Sequence, residues 1–534
     1  MMKAMIIKPT LVVKPVLIRR SRGAQPELHR EAGITMVLVA LAMVAIIAMA
    51  ALSIDVVTLY LARMEAQRSA DAGALAAARV ISISGLTGDP TNSSGYWSQI
   101  CGGSTGIATQ AAVAAATQST VDAVAPTVQV RYFAGGASPV PDCSSGLPAA
   151  FGVNPLVSVQ VTRNNLPTFF SRIWGNAGNT VTATAVAEAF NSSNSGNVGN
   201  GTTGTITPVQ PRCVKPWMVW NKDPLNPGPV QNRNYNPNNP QAGPPQFFCD
   251  QPNPSNPGGN PVPCNSLVDQ GDGQIFHPGI NLNGLQSDGS PSLTSTAVIG
   301  EAFWLSANCE RIGSSCIPRS TKFEANYNNE FGYQQGPPNL LYLAGQAPSV
   351  NPVAVPSCSS GTSMYQQAIA GCDQSTVYHC GVQNMNTIDM SENPGGFTND
   401  TTDGVSCLIN EADPAGSQPT GQDTINLSSY PFQMLAGSSN PLVGNGLTPG
   451  TPITSSSSIV SLPIIDNTTS VPGGGTKQVT VVGFLQVFIN SVDQYGNVEV
   501  TVLNVTGCSN GTGQPVGTAV TGSSPVPVRL ITPP

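Results

Sequence analysis

The chain has 534 residues, of which only 10% are charged, and its formal net charge is −7. Gly and Pro, with 55 and 47 residues, make up about a fifth of it, which is typical of an exported, loop-rich β protein and not of a cytosolic enzyme. From residue 85 onward, 12 Lys and Arg stand against 24 Asp and Glu, so this acidic part has no electrostatic surface for nucleic acid.

The chain begins with a basic leader, residues 1–32, followed by an apolar run, residues 33–54. The run is long enough to cross a bilayer, because about 20 helical residues span about 30 Å. The positive-inside rule then predicts a single-pass protein with a cytoplasmic N-terminus and an exported body. A cleaved signal peptide is the alternative, since residues 48–50 read Ala-Met-Ala, although the leader is long and the helical pattern continues past that site.

The apolar run leads directly into a polar but helical segment, residues 55–80, which has no proline and many strong helix formers. Small residues recur along it at four-residue spacing, which lets another helix backbone approach closely. Two partners are open for this small-residue stripe: another subunit, or the chain's own Ala-rich helix expected near residues 107–124. Asp55, at the end of the apolar run, is expected to mark the membrane interface or to meet a group of another subunit. The stripe and its neighbouring row include Ala66, Ala70, Gly73, Ala74 and Ala77.

One pattern links the end of the leader, the apolar run and the polar helix. It consists of Glu31-x-Gly33, the apolar run, Ile54-Asp55, Leu59-Tyr60, Ala62-Arg63, Gln67 and Asp71-Ala72-Gly73-Ala74-Leu75-Ala76. This pattern resembles the N-terminus of the TadE/TadG-like family, minor pilin-like proteins of the bacterial Flp (tight-adherence) pilus-assembly system. The resemblance is close over about residues 30–80 and looser to residue 190.

The resemblance implies a non-enzymatic subunit, anchored by one span in the bacterial inner membrane, with a periplasmic or surface-exposed body. The implied partners are other pilus-assembly or pilin-like subunits and membrane lipid. Neither nucleic acid nor a small-molecule substrate is implied.

The overall pattern predicts an α+β protein. Residues 55–190 are expected to form the exported pilin-like helix and a small α/β unit, and residues 191–206 are a flexible linker by composition. Residues 207–534 are expected to form a loop-rich, disulfide-containing, mostly β region that ends in an antiparallel sheet at about residues 477–534. The predicted strands lie at residues 128–133, 156–162, 180–189, 477–490, 498–505 and 526–531, and a short helix is expected at residues 167–173.

All 12 cysteines follow the apolar run, as expected for export into an oxidising compartment. The sequence does not fix their connectivity, and bridges between near neighbours are the simplest hypothesis. A zinc site is the alternative for Cys372, His379 and Cys380, although the chain contains no C-x-x-C motif. The four expected bridges are Cys101–Cys143, Cys249–Cys264, Cys309–Cys316 and Cys372–Cys380.

Motifs for catalysis are absent from the sequence: there is no P-loop, no Rossmann glycine loop, no G-x-S-x-G elbow and no H-E-x-x-H. Asp288-Gly-Ser290-Pro-Ser292 matches the spelling of a von Willebrand A metal site, but a polar loop precedes it where a strand is needed. Trp217 and Trp220 either fill a core or stack on sugar. We therefore predict no enzyme activity, no cofactor and no metal. An anchored glycan-binding module or hydrolase is the alternative function.

Overall fold

The protein is described here from a computed structural model. Among the described residues, those up to Tyr60 and within Pro167–Asn179 form one compact unit, and those of Leu61–Leu166 and Thr180–Pro534 form a second. The structure describes residues 32–87, 96–143, 147–148, 150–168, 175, 178–189, 209–211, 214–223, 266–268, 275, 280, 297–307, 309–312, 315–318, 339–345, 363–371, 376–379, 386–389, 397–412, 420–428, 430–466, 476–493, 496–508, 520–522, 526 and 528–531.

The most extended element is helix α1, Ala32–Ile83, which runs without interruption for 52 residues. This confirms the long helix that the sequence predicts. The absence of proline and the abundance of Ala, Leu and Met explain its length. It ends where Ser84 donates both its N–H and its hydroxyl to the carbonyl of Ile81, at 3.2 and 2.7 Å, and where Gly85 takes a positive φ of 75°.

A four-stranded sheet with the order β1-β2-β3-β19 lies in the second unit together with three helices. Its first three strands are rich in β-branched residues, and β1 and β2 pair in antiparallel register, Val130 opposite Val159 for example. The elements are α2 (Trp97–Cys101), α3 (Ile107–Gln118), β1 (Thr127–Phe133), α4 (Ala150–Val153), β2 (Leu156–Leu166) and β3 (Asn179–Ala189).

The fourth strand of this sheet, β19 (Val528–Ile531), comes from the far end of the chain. It pairs antiparallel with β3, with Val528 opposite Ala189 and Ile531 opposite Val186. The sequence predicted that this segment belongs to a terminal sheet with residues 477–490 and 498–505, and that prediction is wrong. Strand adjacency along the chain is only a tendency, and here the apolar cluster of Phe133, Leu156 and Val186 receives Ile531 instead.

The largest β element is a closed six-stranded barrel with the order β14-β16-β17-β6-β9-β5. Pairing is antiparallel except between β5 and β14 and between β6 and β9. Strand β16 is buried along nearly its whole length, which explains why its sequence is mostly apolar and does not alternate. The strands are β5 (Trp217–Trp220), β6 (Ala302–Ala307), β9 (Asn339–Ala344), β14 (Ile459–Ile465), β16 (Val481–Val492) and β17 (Val498–Gly507).

The remaining, shorter elements lie before, between and after the barrel strands in the sequence. The predicted strand 477–490 is divided at Thr480, because β15 pairs with β10 whereas β16 enters the barrel. The remaining sheets pair β4 with β18, β7 with β8, β11 with β12, and β12 with β13. These elements are β4 (Val209–Pro211), β7 (Cys309–Ile312), β8 (Ser315–Pro318), α5 (Met364–Ala370), β10 (Asn386–Asp389), α6 (Phe397–Ile409), β11 (Thr424–Asn426), β12 (Gln433–Leu435), β13 (Pro452–Ile453), β15 (Thr476–Val479) and β18 (Val520–Gly522).

The coarse fold class predicted from the sequence is confirmed: a long apolar helix precedes mixed helices and strands, and the C-terminal part is mostly strands. The linker at residues 191–206 and most of the leader lie outside the described residues. The short helix expected at 167–173 is described only at residues 167–168, which are not helical.

Candidate functional site in the long helix

The first half of α1 exposes its apolar side chains on all sides. Met36, Val44 and Met49 are between 65 and 77% exposed, and their neighbours along the run are similar. By length and composition this stretch is able to cross a membrane. An all-round apolar surface of this kind is stable in hydrocarbon and not in water.

Asp55 lies at the end of the apolar run, where the sequence analysis placed a membrane interface. Its side chain is buried, as is the side chain of Ala51 one turn earlier. The backbone carbonyl of Asp55 accepts a hydrogen bond of 2.9 Å from the Thr58 hydroxyl. A buried carboxylate here is a specific structural feature and not a charge left at a solvated boundary. The possible inter-subunit role of Asp55 stays a prediction.

The small-residue stripe lies in the second half of α1 and is fully buried. Ala66, Ala70, Ala74 and Ala77 have no exposed surface. The stripe meets an equivalent stripe on α3, whose buried residues are Ala108, Ala112 and Ala116.

The contact between these two helices is so close that it leaves no room for a side chain at Gly73. A Cβ atom built on Gly73 would lie 3.0 Å from the Ala112 carbonyl oxygen, 3.0 Å from the Ala116 Cβ and 3.1 Å from a Val159 methyl group. The Ser69 hydroxyl donates to the carbonyl of Ala116. Of the two partners that the sequence left open for the stripe, the structure shows the chain's own Ala-rich helix. That helix ends at Gln118, earlier than the predicted residue 124.

The C-terminal end of α1 is hydrogen-bonded to residues far along the chain, which no local sequence pattern links to it. Asn504 of β17 donates from Nδ2 to the Ser82 carbonyl at 2.8 Å, and the Tyr430 hydroxyl donates to the Ser84 carbonyl at 2.8 Å. A Cβ on Gly85 would lie 2.7 Å from the Leu503 carbonyl oxygen, so only glycine fits there. Burial raises the pKa of Tyr430, which keeps the hydroxyl protonated as a donor.

Sequence reasoning missed these contacts. The one local signal is Asn504 itself, a fully buried amide in β17. Such a residue needs a partner, but the sequence does not say which.

The predicted disulfides are partly within the described residues. Cys101 and Cys143 form a bridge with a Cα–Cα distance of 5.5 Å, joining the end of α2 to the loop after β1. Cys407 and Cys508 are also disulfide-bonded, and no cysteine is free within the described part of the chain. The sequence predicted no partner for either of these two cysteines.

The other expected bridges remain predictions. Register in the β7–β8 hairpin places Cys309 opposite Pro318 and Cys316 opposite Arg311, so the Cys309–Cys316 pair is diagonal and not directly opposed. The Cys249–Cys264 and Cys372–Cys380 pairs lie outside the described residues.

The barrel region contains buried polar groups that fix its loops. The Lys215 ammonium donates to the carbonyls of Ile369 and Gly371, at 2.7 and 2.5 Å, at the C-terminal end of α5. Burial lowers the pKa of Lys215 to about 7. Trp217 donates from its indole nitrogen to the Tyr365 hydroxyl at 3.0 Å. Trp217 and Trp220 are buried, so they fill the core and do not face a sugar.

Where residues are described, no group of three or more His, Cys, Asp or Glu side chains is placed to hold a metal ion. The candidate metal segment at residues 288–292 lies outside the described positions, as do Cys372 and Cys380.

Comparison with known proteins gives one match. The sequence model of a family described as putative Flp pilus-assembly TadE/G-like matches residues 33–80. This confirms the resemblance over the apolar run and the small-residue stripe. No curated protein and no solved structure matches the chain. The match and the apolar helix together indicate a membrane-anchored protein related to the Flp/Tad pilus.

Proposed function

We propose that the chain is a non-enzymatic, pilin-like subunit of a bacterial Flp/Tad pilus-assembly or adhesion system. The observation that carries the proposal is the contrast between the two halves of α1. Its first half exposes apolar side chains suited to lipid, and its second half is packed into the chain's own folded unit. This is the segment that the pilus-assembly family model matches.

The proposed location is the bacterial inner membrane, with a cytoplasmic N-terminus and a body that is periplasmic or at the cell surface. The basic residues ahead of the apolar run support this orientation. The Cys101–Cys143 bridge supports export of the part that follows, since disulfides persist in oxidising compartments.

Contacts with other pilus-assembly or pilin-like subunits are proposed for the exposed apolar face of the first half of α1. The small-residue stripe is already filled by α3, so it offers no surface to another subunit. Membrane lipid and neighbouring subunits would share the exposed side chains, among them Met36, Val44 and Met49.

The test replaces the anchor while keeping the body. Two chains are supplied to a strain that lacks the gene: the full chain, and a chain in which residues 1–54 are replaced by a cleavable signal peptide. We expect the gene deletion to abolish Flp pili and surface adhesion, and only the anchored chain to restore them.

A reporter that is active only in the periplasm, fused after residue 190, checks the topology, and membrane fractionation checks the anchor. Normal pili in the deletion strain would contradict the assembly role. Restoration by the soluble chain would contradict the need for an anchor.

A further inference from the structure

The C-terminal tail of the chain, residues 520–531, contributes a strand to each of two different sheets. Strand β18 pairs in parallel with β4, and β19 pairs antiparallel with β3. Strands β3 and β4 lie on either side of residues 190–208. The tail therefore binds two neighbouring acceptor strands that are more than 300 positions away in sequence.

The edge of β3 holds β19 through a charged contact and an apolar contact. Arg529 donates from Nε to a carboxylate oxygen of Glu188 at 2.6 Å, and Asn154 donates to the other oxygen at 2.6 Å. The Glu188 side chain is only 8% exposed, whereas that of Arg529 is 32% exposed. Ile531 packs against Phe133, Leu156 and Val186.

The donor strand is short, and within the described part of the chain it is the last strand of its sheet. Leu530 is 42% exposed, and the other three residues of β19 are half-buried. Eleven residues, 509–519, separate the disulfide-bonded Cys508 from the tail. When extended, a segment of this length reaches about 36 Å, so the tail is able to leave its own sheet without moving the barrel strand β17, which ends at Gly507.

We propose that the tail is an exchangeable strand donor, and that β3 and β4 of one copy also pair with β19 and β18 of a second copy of this chain. The exchanged pair keeps every contact of the tail, including Arg529 with Glu188. The two arrangements differ in the entropy of the connecting segment and in the translational and rotational entropy lost when two copies associate. This rests on the proposed function in one respect: anchored copies share an orientation and are concentrated in one membrane, which favours exchange.

The test uses two full-length copies with different tags in the same cell. One copy carries Ala187→Cys and the other Leu530→Cys, which are directly opposed in the β3–β19 register. Opposed positions have Cβ atoms close enough to form a disulfide. A single chain that carries both substitutions checks that the bridge closes within one molecule.

The matched control replaces Ala187→Cys by Val113→Cys, which lies on the surface of α3 and is 37% exposed. We expect a covalent dimer with both tags from the Ala187/Leu530 combination, at least several-fold above the control. A second pair, Ala189→Cys with Val528→Cys, repeats the measurement if the first pair disturbs the sheet.

No mixed-tag dimer above the control with either pair, while a single-chain bridge closes, would overturn the proposal. If no single-chain bridge closes with either pair, the β3–β19 register itself is wrong and the proposal falls with it. Pilus formation and membrane anchoring are scored in the same strains. Loss of exchange with normal pili would therefore leave the proposed function standing, whereas exchange without pilus association would count against that function alone.

Discussion

The α1–α3 pair and the barrel achieve close packing in opposite ways. Between the two helices, contacts are made by Ala and Gly, and the fit depends on the lack of side-chain volume. In the barrel region, buried polar side chains hold backbone groups. Lys215 holds the end of α5, and Asn221 binds residues 267 and 268 with three hydrogen bonds of 2.9 to 3.0 Å.

The difference follows from secondary structure. A helix pair satisfies its own backbone, so shape alone decides the contact. Loops have no regular pattern of backbone hydrogen bonds, so their buried carbonyls and N–H groups need side-chain partners. The loop-rich body thus depends on single polar residues where the helix pair depends on a repeated pattern.

The largest expected effect concerns Lys215 in the barrel. Because its pKa in the folded state is lowered to about 7 from an ordinary 10.5, the unfolded state binds the extra proton between these values. The free energy of unfolding of the wild type should therefore rise between pH 7 and pH 10.5, relative to that of Lys215→Met. The relative rise is on the order of 4 kcal/mol, since one pKa unit corresponds to about 1.4 kcal/mol.

Denaturant unfolding at several pH values between 7 and 10 measures this effect. Lys222→Met, at a nearby half-buried position, should keep the wild-type slope. Parallel curves for the wild type and Lys215→Met would show that the folded state does not release this proton in that range.

The second effect tests the helix pair. Gly73→Leu forces a side chain into the Ala112 carbonyl and Ala116, at a cost of about 3 kcal/mol. Ala76→Leu, on a half-buried position of the same helix, should cost far less. Thermal unfolding of the detergent-solubilised chain measures both. A stable Gly73→Leu protein that no longer supports pili would instead indicate that the stripe contacts another subunit.

The third effect concerns the seam between β3 and β19. Arg529→Ala leaves the buried Glu188 carboxylate without its cation, at a cost of about 2 kcal/mol. In the Glu188→Gln background the same change should cost clearly less, because no charge is left behind. A double-mutant cycle from urea unfolding gives the coupling. Equal costs in the two backgrounds would mean that the ion pair does not stabilise the seam.

The smallest expected effects lie where the barrel meets the end of α1. Asn504→Ala and Tyr430→Phe each remove one hydrogen bond to a carbonyl of that end, at about 1 kcal/mol each. Hydrogen exchange of the last turn of α1 should rise in both variants. Protection that stays at the wild-type level would show that the turn is held by its own Ser84 contacts alone.

Local patterns predicted α1 and the strands β1, β2, β3 and β17 because helix propensity and β-branched runs act over a few residues. The barrel was not predicted, since its strands come from six separated segments and two of its pairings are parallel. The sequence left the partner of the small-residue stripe undecided, because Ala and Gly permit close approach by any helix backbone and do not specify which one. The position of β19 depends on one ion pair and one apolar contact, and neither leaves a sequence signal.

The pairing of β19 with β3 also sets an order on biogenesis. The α1–β3 segment is synthesised more than 300 residues before β19, so its four-stranded sheet closes only after β19 has been made. Until then β3 presents an open edge that can pair with other chains. A chain truncated before β19 would carry this open edge and a buried Glu188 without Arg529, which are features that proteases and chaperones can recognise. Completion of the first sheet thus reports that the chain has been made as far as β19.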